Sequence, residues 1–367
     1  MVFDNRVASR VQAPPKTQST DHEGGESRKQ AQSMKFRPFL ATIGVAALAA
    51  LALPAAAASA HVAPAVQPTA AHYTSRVHVM KPFKKGLVSP FADTRKGSPP
   101  LLFRGGPVMK VDKNYAIYWK PARLQDGSAV TGLASTYQAL MNRWFKDANF
   151  TGVYATTKQY GGSGGVHPQS TSFGAAYIDT TPFPTGHCTT RYTGANCLTD
   201  ADIQAEARKI AAAHGFGNSN ARIWFVFTPK NEGSCSGSSC SYTEYCAYHG
   251  PSVDSAGGVL LYANMPYPVA SSVSACTGTT VSPNHNPEAD AGISIVSHEQ
   301  MESVTDPQVN YRSAWYDAAG YENGDECAYQ YGPGVYAGGG DVSGNGHSYL
   351  VQSEGDNAQR DCSVTAP

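Results

Sequence analysis

The chain has 367 residues, and its 28 Lys and Arg balance its 28 Asp and Glu, giving a formal net charge of zero at pH 7. A near-neutral chain lacks the basic surface that binds phosphate backbones, which argues against a nucleic-acid-binding protein. The eight cysteines are an even number, and all follow the apolar N-terminal segment described next. That usage favours disulfides in an exported protein.

Three segments are predicted before the folded domain. Residues 1–33 are polar and represent either an over-extended start or a long n-region. Residues 34–60 are predicted to be a signal peptide, because basic residues precede the apolar run Phe39–Leu53 and an A-x-A site ends at Ala60. That run is shorter than the roughly 20 residues that span a bilayer, so no retained membrane anchor is expected. Residues 61–106, rich in Pro, Ala, Lys and Ser, are predicted to be a linker or propeptide.

Residues 107–367 are predicted to form a single disulfide-bonded domain of the α+β or α/β class, with helices packed on a mixed sheet. Apolar and aromatic runs predict strands, whereas helical spacing and capping residues predict helices. In chain order the predicted elements are a strand at Tyr115–Trp119, a helix capped by Ser135, strand-like pieces at Val153–Gln159 and Ala175–Ile178, a helix opened by Thr199 and Asp202, and strands at Ile223–Phe227 and Val259–Tyr262.

The most informative segment is the predicted helix Ile293–Asp306, which carries an HExxE motif. His298 and Glu302 are four residues apart, so their side chains share one face and can converge on a metal ion. We place them at the border of the buried face. The alternative is a simple hydrogen-bonded pair on a helix surface.

A second acidic cluster, Glu322 and Asp325, follows this helix and favours the metal site. Three protein ligands and an open position for water are typical of catalytic zinc. We predict that His298, Glu302 and either Glu322 or Asp325 bind zinc, and that Glu299 acts as the general base, as the glutamate does in HExxH sites. Manganese or another divalent ion also suits a carboxylate-rich set, and Asp325 could instead orient Glu322.

Other candidate sites are weaker. His249 stands beside a glycine in a Cys-rich loop, which favours a structural hydrogen bond over metal ligation. A cysteine zinc site is the alternative to disulfides, but the spacing of Cys235, Cys240 and Cys246 lacks a paired CxxC. The loop from Asp341 to Gly346 has alternating oxygen side chains, yet Gln352 stands where a calcium loop carries glutamate, so turn chemistry explains it better.

Three motifs in order, SHEQMESVTDP from Ser297, AWYD from Ala314 and ENGDECAY from Glu322, resemble the EXORDIUM-like or phosphate-induced protein family and its secreted bacterial relatives. The resemblance extends over most of residues 107–362. It implies an extracellular protein with a shared fold, and its recurrent HExxE and ExxD segments map onto the five site residues named above. The family's association with plant cell walls and growth control does not define a reaction.

Two functions follow from these observations. The first is a secreted, zincin-like metallopeptidase that uses a metal-activated water on a peptide or protein substrate. The second is a non-catalytic extracellular or cell-wall-associated binding protein with a structural metal site. In either case we expect a monomer with no nucleic-acid partner, and the number of protein ligands on the ion separates the two functions.

Overall fold

The computed structural model describes residues 80, 82, 99–185, 188 and 194–365. The predicted polar start and signal peptide, together with most of residues 61–106, lie outside the described residues. Within the described part of the chain, no helix combines the length and apolar composition needed to cross a membrane.

The strands and helices follow one another along the chain with short connections. The strands are β1 (Leu102–Phe103), β2 (Val111–Trp119), β3 (Ser170–Asp179), β4 (Cys197–Thr199), β5 (Ser219–Phe227), β6 (Gly233–Ser236), β7 (Ser239–Cys240), β8 (Tyr248–Val253), β9 (Val259–Met265), β10 (Trp315–Tyr316), β11 (Val342–Gly344), β12 (His347–Tyr349), β13 (Glu354–Asp356) and β14 (Asp361–Ser363). The α-helices are α1 (Ser135–Asp147), α2 (Gly152–Thr156), α3 (Asp200–Ala213), α4 (Ala270–Thr277), α5 (Pro287–Thr305), α6 (Asn323–Glu326) and α7 (Pro333–Tyr336).

A mixed five-stranded sheet organises the domain, in the order β3-β2-β5-β9-β8. All neighbouring strands are parallel except β8, which runs antiparallel to β9 and forms one edge. The central strand β5 is continuously apolar from Ile223 to Phe227 and buried, as expected for a strand covered on both faces. The predicted strands at Tyr115–Trp119, Ala175–Ile178 and Val259–Tyr262 are confirmed within β2, β3 and β9.

Alternating side chains of β2 and β5 belong to two separate hydrophobic cores, one on each face of the sheet. On one face, Tyr118 and Phe225 pack with residues of α1 and α5; on the other, Ile117 and Trp224 pack with α3. Because successive strand residues point to opposite faces, the sheet separates two helical layers. The predicted fold class, a mixed sheet with packed helices that include the HExxE helix, is confirmed.

Two local predictions need correction. The segment Val153–Gln159 is helical, not strand-like: α2 is followed by a 3₁₀ turn, and Thr151 caps α2 by accepting a hydrogen bond from the Tyr154 amide at 3.1 Å. Ser135 is the first residue of α1, whose N-cap is Ala134 without a side-chain cap. By contrast, Thr199 and Asp202 do form a capping box on α3.

The HExxE helix α5 is longer and more deeply buried than its sequence pattern indicates. It begins at Pro287, capped by the Asn286 side chain, and ends before Asp306. Every residue from Ala289 to Thr305 is buried, so the prediction that His298 and Glu302 lie at the border of a buried face is wrong. The polar groups of this helix therefore need partners inside the protein.

Four disulfides account for all eight cysteines: Cys188–Cys197, Cys235–Cys240, Cys246–Cys276 and Cys327–Cys362. Paired sulfurs offer no thiolate, so the alternative of a cysteine zinc site is excluded. The loop Asp341–Gly346 enters the β11–β12 hairpin, whose turn residues Asn345 and Gly346 have positive φ, in keeping with the predicted turn.

Part of the segment predicted to be a linker or propeptide contacts the domain. Strand β1 pairs with β10, and Leu101 is buried. Met80 lies in the hydrophobic core that also contains residues of α1 and α5. Its backbone exchanges hydrogen bonds with Cys246 and Ala247, immediately before β8.

Candidate metal centre

Helix α5 contributes three side chains to an internal polar cluster. The residues His298, Glu299 and Glu302 are each at most 1% exposed. His298 Nε2 lies 3.1 Å from Glu302 Oε1, the contact expected for residues one turn apart. One ligand atom from each of the three residues falls within 4.8 Å of the others, so they can share one cation.

The edge strand β8 contributes a second histidine. His249 Nε2 lies 3.2 Å from the Asp306 backbone carbonyl, to which it donates a hydrogen bond as the Nε2–H tautomer. Its Nδ1 then faces the carboxylates of α5, 3.2 Å from Glu299 Oε2 and 3.6 Å from Glu302 Oε2. A histidine with one nitrogen tied to a carbonyl and the other turned toward carboxylates has the usual arrangement of a metal ligand.

The turn that leads into α6 brings the second acidic pair to the same place. Glu322 Oε1 lies 3.7 Å from His249 Nε2, and Asp325 Oδ1 lies 3.9 Å from His298 Nε2. The Asp325 amide donates to Glu302 Oε1 at 3.0 Å. Gly324 permits this approach, because a Cβ there would lie 2.8 Å from His298 Nδ1 and 2.9 Å from Glu302 Oε1.

Side chains from the C-terminal segment surround this cluster. The Gln352 side-chain amide donates from Nε2 to His298 Nδ1 at 2.7 Å and to the Gly324 carbonyl at 2.9 Å. Asn323 donates to Glu354 Oε2 at 2.8 Å and accepts from the Thr305 hydroxyl at 2.8 Å. The turn is thereby tied both to the end of α5 and to β13.

The pKa values in this cluster follow from the placement of several carboxylates close together and away from water. Burial raises the pKa of Glu322 well above its ordinary value, and the charge of Glu302 adds to this effect. Burial, then Glu302, raises the pKa of Asp325 to about 8. Burial alone would lower the pKa of His298, but the neighbouring Glu302 carboxylate raises it well above 6.5. Protons stabilise this cluster in the absence of a cation, and a divalent ion would displace them.

The structure brings all five predicted site residues together: His298, Glu299, Glu302, Glu322 and Asp325. Sequence reasoning missed His249, for which it favoured a structural hydrogen bond. The residue makes that bond through Nε2, yet its Nδ1 also points into the cluster. The run Tyr248–Val253 could have been read as a strand, but its pairing beside α5 depends on tertiary contacts.

The chemical types of these side chains suit a divalent cation. Imidazole nitrogens and carboxylate oxygens are ligands for zinc, manganese and iron. The buried Oε1 of Glu299 makes no hydrogen bond, and the buried Nε2 of His298 faces two carboxylates, Glu302 at 3.1 Å and Asp325 at 3.9 Å. Buried polar atoms of this kind need an explanation, and an ion is one.

The chain matches no protein-family profile, no curated protein and no solved structure. The EXORDIUM-like assignment therefore stays a prediction from three sequence motifs.

Proposed function

We propose that the protein is a secreted, metal-dependent hydrolase that cleaves peptide bonds. The observation that carries this proposal is the convergence of two histidines and the HExxE carboxylates within one small internal volume. In the proposed site, His298, Glu302 and either Glu322 or Asp325 hold a divalent ion, most simply zinc, with His249 as an additional ligand. A bound ion of this kind lowers the pKa of a ligated water.

Glu299 is the proposed general base. Its Oε2 faces His249 at 3.2 Å, whereas its buried Oε1 makes no hydrogen bond and is available to take a proton from water. Burial raises its pKa, and the His249 hydrogen bond opposes that effect. A raised carboxyl pKa suits proton transfer near neutral pH, because the base then holds the proton more firmly once it has taken it.

Peptide is the proposed substrate class because of where His249 lies. It belongs to β8, the edge strand of the five-stranded sheet, and extended peptides bind other proteins by adding to a sheet edge. A peptide aligned along β8 would pass close to the candidate ion. The backbone bonds between Met80 and residues 246–247 illustrate that extended chain can bind at the start of this strand.

Secretion is supported by cysteine chemistry. All eight cysteines form disulfides, which persist in oxidising compartments and are rare in the cytosol. The predicted signal peptide at residues 34–60 agrees with this location.

A non-catalytic, extracellular or cell-wall-associated binding protein is the second candidate, and one observation favours it. The donor side chains are almost completely buried, the most exposed being Asp325 with 12% of its side-chain surface accessible. A closed set of ligands stabilises a fold but leaves no position for substrate.

Three glutamate variants separate these functions. The secreted chain is purified without chelator, and its metal content and peptidase activity are measured beside Glu302→Gln, Glu299→Gln and Glu206→Gln. The last is a control, since Glu206 is a buried carboxylate paired with Lys209 on α3, outside the site.

We expect Glu302→Gln to lose both metal and activity. Glu299→Gln should keep metal and lose most activity, by a factor of about 10² or more for a lost general base. The Glu206 variant should keep both. Unchanged activity in Glu299→Gln contradicts the proposed role of Glu299, and bound metal without activity in any form favours the binding protein.

A further inference from the structure

The carboxylate of Glu302 stands between the two histidines. Its Oε1 is 3.1 Å from His298 Nε2, and its Oε2 is 3.6 Å from His249 Nδ1. The two oxygens of one carboxylate therefore face two different imidazoles. A carboxylate placed in this way can bridge two ions, one on each imidazole.

The donors form two sets that share Glu302, and Glu299 of the first set also reaches the second, because its Oε2 lies 3.2 Å from His249 Nδ1. One set is His298, Glu299 and Glu302, and the other is His249, Glu302 and Glu322. Within each set the ligand atoms lie within 4.8 Å of one another. Asp325 faces His298 at 3.9 Å, which adds an oxygen donor near the first set.

The cluster contains enough oxygen donors for two cations. Glu299, Glu302, Glu322 and Asp325 lie in the two sets or beside them. A cation that binds these carboxylates displaces the protons that stabilise them in the metal-free protein.

Independent atoms on both sides point inward. The buried Glu299 Oε1 makes no hydrogen bond, and it belongs to the first set. On the second side, His249 Nε2 donates to the Asp306 carbonyl, which leaves Nδ1 facing the carboxylates.

We propose that this cluster binds two divalent metal ions, one on His298 and one on His249, bridged by Glu302. The proposal rests on the metal site of the proposed function and extends it. Histidines and carboxylates together are the ligands of dinuclear iron and manganese sites in helical carboxylate proteins, so Mn²⁺ is the probe of choice. Glu299 remains the proposed base.

The test is Mn²⁺ binding to the full secreted chain after chelation and dialysis. The stoichiometry is measured by elemental analysis and calorimetry in the wild type and in the His298→Ala and His249→Ala variants. Electron paramagnetic resonance of the loaded wild type is a second measurement that needs no variant, because two bridged Mn²⁺ ions are exchange-coupled whereas an isolated ion is not.

Two ions per wild-type chain with an exchange-coupled spectrum, and one ion in each histidine variant, support the proposal. One ion with an uncoupled spectrum overturns it and leaves the proposed mononuclear hydrolase intact. No bound ion overturns both.

Discussion

Helix α5 contributes side chains to two buried polar clusters. They differ in how the charge of their carboxylates is balanced. Around Gln300 there is one carboxylate: Asp112 Oδ2 accepts hydrogen bonds from Asn114, Thr171 and Gln300 at 2.8 to 3.0 Å. Around the adjacent Glu299 several carboxylates meet two imidazoles. Hydrogen bonds hold the first cluster, whereas the second has more carboxylates than hydrogen-bond donors, and we propose that a cation balances it.

The largest expected effect is that of metal removal. At a free ion concentration 1,000 times the dissociation constant, binding adds about 4 kcal/mol to the free energy of unfolding. Thermal and urea unfolding with and without chelator measure this difference. Chelator should not change the stability of Glu302→Gln, and equal stability of the wild type in both conditions would contradict a metal centre.

Gln300→Ala tests the other cluster. It removes the bond from Trp144 Nε1 at 3.0 Å and one donor to Asp112. The unfolding free energy should fall by about 3 kcal/mol, since buried groups lose their partners. Metal content should remain that of the wild type. A variant of normal stability that binds less metal would show that the two clusters are not independent.

Gln352→Ala should weaken metal binding without unfolding the protein. Ligation through His298 Nε2 would place the proton on Nδ1, and the Gln352 side-chain amide would turn over so that its oxygen, instead of its Nε2, faces that proton. Loss of such an orienting partner typically lowers metal affinity by about 10 to 100-fold. Competition with a chromogenic chelator measures the affinity.

Gln308→Ala is the matched control for this variant. Gln308 is also a buried glutamine, bonded to Asn220 at 3.0 Å, but it makes no described contact with the cluster. Equal affinities of the two variants would argue against an orienting role for Gln352.

The last expected effect is on the pH dependence of stability. In the metal-free protein, burial and Glu302 raise the pKa of Asp325 from 3.8 to about 8, so the folded state binds more protons than the unfolded state between these values. Stability should therefore fall as pH rises from about 4 to 8. The raised pKa values of Glu299, Glu322, His249 and His298 act in the same direction.

Thermal unfolding at intervals between pH 5 and 8 checks this prediction. Saturating metal should remove the decline, because ligation keeps the carboxylates ionised. Asp325→Asn should reduce it in the metal-free protein, and a metal-free melting temperature that rises over this range would contradict the argument.

Local signals predicted much of this fold. The apolar run of β5 and the capping box of α3 are patterns of neighbouring residues, so the sequence predicts both elements. Val153 and Tyr154 favour strands by propensity, but the Thr151 cap and the surrounding packing form a helix instead. For α5, the sequence pattern could not reveal that other elements cover its polar side.

The residues of the candidate site divide in the same way, into those that a local sequence pattern predicts and those that it does not. His298, Glu299 and Glu302 are related by helical spacing, and Glu322 with Asp325 follow closely in sequence. His249, Gln352 and Glu354 reach the cluster only through the pairing of β8 and the return of the C-terminal segment. No short-range pattern specifies such contacts.

The distribution of these residues along the chain would determine when the proposed ion is acquired. The cluster joins β8, α5, α6 and the segment before β13, and the disulfides Cys246–Cys276 and Cys327–Cys362 lie beside its parts. An unfolded chain has no preformed site, so metal binding is coupled to folding. A chain exported before it folds would take its metal from the compartment where it folds, and the metal available outside the cell would decide which ion it holds.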